Sequence, residues 1–133
     1  MQGGCHCGQI RYRVEGKALT SSICHCTDCR RCSGAPMVAW AMFLQPQVVV
    51  TQGTPRTYAS SEHGRRQNCP TCGTGLFYEN AVTLPGIIDI QTSTLYDPEA
   101  LPPRVQVQLA ERLHWSEGIA TLPGFPRYPA MAP

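Results

Sequence analysis

The sequence is short of charge. Of its 133 residues, 15% are Asp, Glu, Lys or Arg, against roughly 25% in an average soluble protein. The cation excess is small, a formal +2 at neutral pH, and no basic run appears. Both facts argue against a nucleic acid or an anionic membrane as partner. No apolar stretch approaches the roughly 20 residues of a membrane-spanning helix. Met1-Gln2-Gly3-Gly4-Cys5 lacks the apolar segment of a secretory signal, so the expectation is a protein of the reducing cytoplasm. There is no long helical period, and no internal repeat beyond Cys-His-Cys occurring twice. The length suits one domain over residues 1–133 with a real core.

What the chain does have is cysteine, glycine and proline: 8, 12 and 12 residues respectively. The cysteines fall into three groups, Cys5-His6-Cys7, then Cys24-His25-Cys26 with Cys29 and Cys32, then Cys69-Pro70-Thr71-Cys72. Cys-x-Cys suits a disulfide framework poorly. Residues two apart in an extended strand sit about 6.6–7 Å apart, at the edge of what a disulfide spans. Their side chains point the same way, so both thiolates can reach one ion while the histidine between them faces away. Metal, and zinc above all, is the reading.

Asn68-Cys69-Pro70-Thr71-Cys72-Gly73 reads as a zinc knuckle whose trailing glycine permits positive φ. Cys5-His6-Cys7-Gly8 carries the same glycine. Cys5, Cys7, Cys69 and Cys72 together make a closed, structural four-cysteine site. Cys24, Cys26 and Cys29 differ: three thiolates on one short segment, with Thr27 or Asp28 placed to start a helical turn, leave a fourth corner for water or substrate. Cys32 could close that site and make it inert.

The rest of the chain reads as short strands joined by turns. Ile10–Val14 and Val105–Leu109 alternate, as half-buried strands do. Ala39–Leu44, Val48–Thr51, Leu76–Tyr78 and Ile87–Ile90 are short apolar runs suited to buried strands. Tyr12, Phe77, Tyr78 and Trp115 read as core aromatics. The tail, 122–133, is extended, either packing through its aromatics or fraying. The fold class expected is all-β.

Gly4-Cys5-His6-Cys7-Gly8, Cys24-His25-Cys26-Thr27-Asp28-Cys29-Arg30-Arg31, Ser33-Gly34-Ala35-Pro36 and Cys69-Pro70-Thr71-Cys72-Gly73-Thr74-Gly75-Leu76-Phe77 resemble the glutathione-dependent formaldehyde-activating (GFA) or centromere protein V family. The likeness runs on, less specifically, through Ile88-Asp89, Leu95-Tyr96-Asp97-Pro98 and Glu111-Arg112-Leu113-His114-Trp115. The resemblance implies a β-tent, short antiparallel sheets around a structural zinc. It implies structural ligands at Cys5, Cys7, Cys69 and Cys72, and a catalytic zinc at Cys24, Cys26 and Cys29. It also implies a carbon–sulfur lyase that joins glutathione to formaldehyde as S-hydroxymethylglutathione. Two departures stand out: the extra thiol of Cys32, and Asn68 where an aromatic residue commonly precedes the knuckle.

An open three-cysteine zinc site can favour the thiolate of an incoming thiol or polarise an aldehyde oxygen. Arg30 and Arg31 follow the site and are candidates to bind carboxylates of a glutathione-like substrate, against the alternative that they are solvated surface arginines. His6 and His25 read as supporting or exposed residues rather than ligands, and Asp28 as a helix cap. The rival readings are a non-enzymatic zinc scaffold with two closed four-cysteine sites, a nucleic-acid-binding zinc ribbon disfavoured by the charge, and a redox switch using Cys29 and Cys32.

Overall fold

Alternation of side chains decides where the strands lie. Tyr12 and Val14 are buried while Arg11 and Arg13 are exposed, the half-buried pattern their sequence predicts. The structure, a computed structural model, describes residues 1–130. In chain order the elements are β1 (Gln2–Gly4), β2 (Arg11–Val14), β3 (Thr20–Cys24), the helix α1 (Thr27–Ser33), β4 (Val38–Leu44) and β5 (Val48–Gln52). There follow β6 (Arg56–Ala59), β7 (Gly64–Asn68), β8 (Gly75–Asn80), β9 (Ile87–Gln91) and β10 (Val105–Val107). Short 3-10 turns fill several connections, and the longest 3-10 segment is His114–Thr121. The expected all-β class holds, with one short helix added.

Two sheets carry the fold: β1-β2-β5, and a seven-stranded sheet in the order β10-β3-β4-β9-β8-β7-β6. Among the described residues every strand pairing is antiparallel, as expected, except β10 with β3, which is parallel and adds one parallel edge to the large sheet. Val105–Val107 is also exposed at all three positions rather than half-buried, because β10 joins the sheet as an outer strand.

Between the sheets lies the main core, which includes Ile10, Tyr12, Val14, Phe43, Leu76, Phe77, Ile88 and Ile90. The Tyr12 and Phe77 rings meet edge to face at 5.0 Å, and Tyr12 Oη lies 2.7 Å from Thr94 Oγ1. Gly3 lies against this ring; a Cβ there would come within 2.5 Å of Tyr12 and 2.6 Å of the Thr94 carbonyl. The opposite face of the large sheet has its own small cluster, Cys24, Cys29, Val38 and Trp40, with Tyr78 against it, and α1 sits there. Period-two alternation along β4 thus sends Phe43 to the main core and Trp40 to the second face.

Val48–Gln52 is only partly covered rather than buried. Trp115 is 57% exposed, so the expectation of a core residue there is corrected. Residues 122–130 form no strand or helix and are exposed; the remainder of the predicted tail, 131–133, lies outside the described residues. Among the described residues, no helix is long and apolar enough to cross a membrane.

Candidate metal centres

The first and third cysteine groups form matching turns, one after β1 and one after β7. The Cys5 N–H donates to Ile10 O at 3.1 Å and the Cys69 N–H to Thr74 O at 2.9 Å; Gly8 N–H reaches Cys5 O and Gly73 N–H reaches Cys69 O. Gly8 and Gly73 each have φ of 80°, the left-handed conformation that the sequence reserved glycine for. The Cys5 sulfur accepts the Ile10 N–H at 3.2 Å and the Cys69 sulfur accepts the Cys72 N–H at 3.4 Å. Thr74 ties the turns together: its hydroxyl accepts the His6 N–H at 3.1 Å and lies 3.1 Å from Cys72 Sγ. That hydroxyl also holds the Cys72 thiol down, to about 5.

All four sulfurs, from Cys5, Cys7, Cys69 and Cys72, lie within 4.8 Å of one another. Cys5 Sγ to Cys7 Sγ is 3.6 Å and Cys7 Sγ to Cys69 Sγ is 3.7 Å. Sulfurs placed about 2.3 Å from one tetrahedral ion stand roughly 3.8 Å apart, so the donor set fits zinc in spacing and in softness. All eight cysteines are free thiols.

The second group is built by the end of β3 and the start of α1. Cys24 closes the strand. Cys26 is extended, at φ −66° and ψ 152°, and acts as the helix cap, its sulfur accepting the Cys29 N–H at 3.3 Å. The cap is therefore a cysteine rather than Thr27 or Asp28. Glu111 completes the turn from the far end of the chain, its carboxylate accepting the Thr27 N–H at 3.2 Å. Strand alternation and a one-turn step along the helix bring the sulfurs of Cys24, Cys26 and Cys29 within 4.8 Å of one another. These three donors also fit a thiophilic ion.

Neither histidine joins a group. His6 is exposed, while His25 is buried with Nε2 at 2.9 Å from Gln106 Oε1. Cys32 stays outside the three-sulfur group and is exposed.

Two further residues belong to the site without lying in any cysteine motif. Arg66, on β7, brings Nη2 to 3.7 Å from Cys29 Sγ, with its guanidinium carbon 5.0 Å from the centre of the Tyr78 ring and 6.0 Å from that of Trp40. A donated hydrogen bond from the Cys24 thiol, with help from Arg66, holds the Cys29 thiol at about 5; Cys24, as donor, is pushed up. Asp89, on β9, is buried and its Oδ1 has no hydrogen-bond partner among the described residues. Burial first, and then the negative charge of Cys29, push its carboxyl up to about 7. The signals available in sequence were Arg65-Arg66 running into the knuckle and an acid amid Ile87, Ile88 and Ile90.

Arg30 and Arg31 are placed differently. The Arg30 guanidinium donates to His25 O at 3.4 Å, Thr27 Oγ1 at 3.1 Å and Glu111 O at 3.3 Å, fastening α1 to the C-terminal segment. Arg31 is exposed. Neither lines the cavity of about 210 Å³ beside the site, which is bounded by Cys32, Arg56, Tyr58, Arg66, Asn68 and Gly75 among others. Among the described residues, two arginines and no carboxylate face that cavity.

The family model described as "Glutathione-dependent formaldehyde-activating enzyme" matches residues 1–111. A Halomonas elongata protein described as "Putative glutathione-dependent formaldehyde-activating enzyme" is 25% identical over 126 residues, covering 88% of this chain and 80% of its own length. A crystal structure of a Rhodobacter sphaeroides protein superposes with a TM-score of 0.62 at 22% identity, over 80% of this chain and 100% of the other. That likeness establishes the fold alone.

Proposed function

The chain belongs to the glutathione-dependent formaldehyde-activating enzyme family, and from that premise we propose that it is a zinc-dependent carbon–sulfur lyase acting on a small thiol and an aldehyde. Glutathione and formaldehyde are the type substrates. In the forward direction R–SH adds to H₂C=O: the C–S bond forms, the carbonyl π bond breaks, and the thiol proton ends on the new hydroxyl oxygen.

Cys5, Cys7, Cys69 and Cys72 would hold a structural zinc, and Cys24, Cys26 and Cys29 a second. When bound at the second place, zinc favours the thiolate form of a thiol and polarises a carbonyl oxygen. The observation that carries the reading is the convergence of three sulfurs with Cys32 outside their group, which supports an open site over a closed, scaffold-like one.

The chain's own residues do the rest. Cys26 caps α1 and so fixes Cys29 relative to itself. Buried Val38 and Trp40 pack against Cys24 and Cys29 and keep water from that side. Arg56 and Arg66 suit the cavity to a carboxylate of the thiol substrate, a contact for which Arg30 and Arg31 are less suited. At about 210 Å³, against roughly 300–1,000 Å³ for pockets that enclose a whole drug-sized ligand, the cavity takes one end of a peptide-like molecule. A reducing, glutathione-rich cytoplasm is the compartment this chemistry needs.

Exchange of label between formaldehyde and S-hydroxymethylglutathione, followed by NMR, tests the reading. The wild type should accelerate exchange over the spontaneous reaction, and a folded Cys26→Ser variant should not. Equal exchange in both proteins rejects the three-cysteine site as the seat of activity.

A further inference from the structure

We propose that Arg66 is a positioning residue for the three-sulfur group: it fixes Cys29 and supplies the positive charge that lets an anionic thiolate approach sulfurs that are already negative. The inference rests on the thiol-binding reading above and deepens it by naming the residue that makes a thiolate acceptable there.

The charge balance states the problem. Three thiolates around one divalent ion sum to −1, so a fourth thiolate would bring the total to −2. Arg66 lowers that to −1. Its Nη2 is 3.7 Å from Cys29 Sγ, the reach of an N–H···S hydrogen bond. Arg30, next to Cys29 in sequence, is committed elsewhere, to two backbone carbonyls and the Thr27 hydroxyl. Among the described residues, no carboxylate forms an ion pair with Arg66.

The guanidinium is packed against two aromatic rings. Arg66 stands opposite Tyr78 in the β7–β8 register. It lies near the Tyr78 and Trp40 rings at 5.0 and 6.0 Å, and those rings meet edge to face at 6.3 Å. Its Nε and Nη1 are buried and have no hydrogen-bond partner among the described residues. A guanidinium buried with a cysteine sulfur as its side-chain acceptor is aimed at that sulfur by the fold, because desolvating the charge is unfavourable without such a partner. Lysine keeps the charge but not the planar contact with both rings.

The test uses the full chain with cobalt(II) in place of zinc, whose visible absorption reports on ligands at the second site. Wild type, Arg66→Gln and Arg66→Lys are each titrated with 2-mercaptoethanol, a thiol with no other charge, and with neutral imidazole. Arg66→Gln should weaken 2-mercaptoethanol binding about ten- to a hundredfold, the range for losing a charge-assisted hydrogen bond, and change imidazole binding less than about twofold. Arg66→Lys should recover most of the loss. Equal weakening of both probes, or no weakening of either, overturns the proposal. Should Arg66→Gln fail to hold the second cobalt, retention by Arg66→Lys supports the charge role, and loss from both variants overturns it. A wild type that does not respond to 2-mercaptoethanol overturns the thiol-binding reading itself, and the proposal with it.

Discussion

Cys7 Sγ and Cys69 Sγ lie 3.7 Å apart although 62 residues separate them in the chain. That contact joins the turn after β1 to the turn after β7, which belong to different sheets. A metal held by the four sulfurs would therefore bridge the two sheets at one end of the main core.

Loss of that bridge should be a folding defect. Structural zinc contributes about 10–16 kcal/mol in zinc-finger peptides, comparable to the entire stability of a domain at about 5–15 kcal/mol. Cys69→Ser should abolish the cooperative thermal transition seen by circular dichroism, whereas Cys26→Ser should retain it. A Cys69→Ser protein that melts cooperatively near the wild-type temperature contradicts the structural assignment.

Chemistry in the cavity can be read without turnover, because Cys32 lines it together with Arg56 and Arg66. Alkylation of Cys32, followed by peptide mass spectrometry, should show saturation with iodoacetate and none with uncharged iodoacetamide. Arg56→Gln, a change at an exposed residue, should slow the iodoacetate reaction about tenfold, the effect of losing about 1.4 kcal/mol of binding, and leave the iodoacetamide reaction unchanged. Equal effects on both reagents would mean that the cavity does not select an anion.

Asp89 makes stability depend on pH. Its folded pKa of about 7 lies above the 3.8 of the free side chain, so the neutral form is favoured by folding. The associated stability is fully present below pH 3.8 and lost as pH rises through about 7. That difference corresponds to on the order of 4 kcal/mol at most. Asp89→Asn should therefore raise Tm more at pH 8 than at pH 5. An equal change at both values, or a lower Tm at pH 8, contradicts burial as the dominant influence on this carboxyl.

The main core was substantially legible in the sequence because its strands advertise themselves. Tyr12 and Val14 alternate with arginines, and Ile88 and Ile90 lie in a dense apolar run. The four-sulfur group was legible from spacing and trailing glycine, and the three-sulfur group from spacing. The polar strands were not. Thr20–Cys24 buries Ser21 and Ser22, with the Ser21 hydroxyl donating to Pro102 O at 2.9 Å, a partner 81 residues away. Arg56–Ala59 and Gly64–Asn68 show no apolar alternation and become strands by pairing at the sheet's far edge. Arg66 lies on one of these strands, and only the register that sets it opposite Tyr78 distinguishes it from its neighbour Arg65. The Arg30 and Arg31 expectation rested on closeness in sequence, whereas the helix turns Arg30 toward Glu111.

Counting zinc per chain by native mass spectrometry tests the central claim, a closed four-sulfur site beside an open three-sulfur one, most directly. The wild type and Cys32→Ser should each carry two zinc ions, and Cys26→Ser should carry one. One zinc in Cys32→Ser would mean that Cys32 is a fourth ligand, and the open site on which the lyase reading stands would not exist.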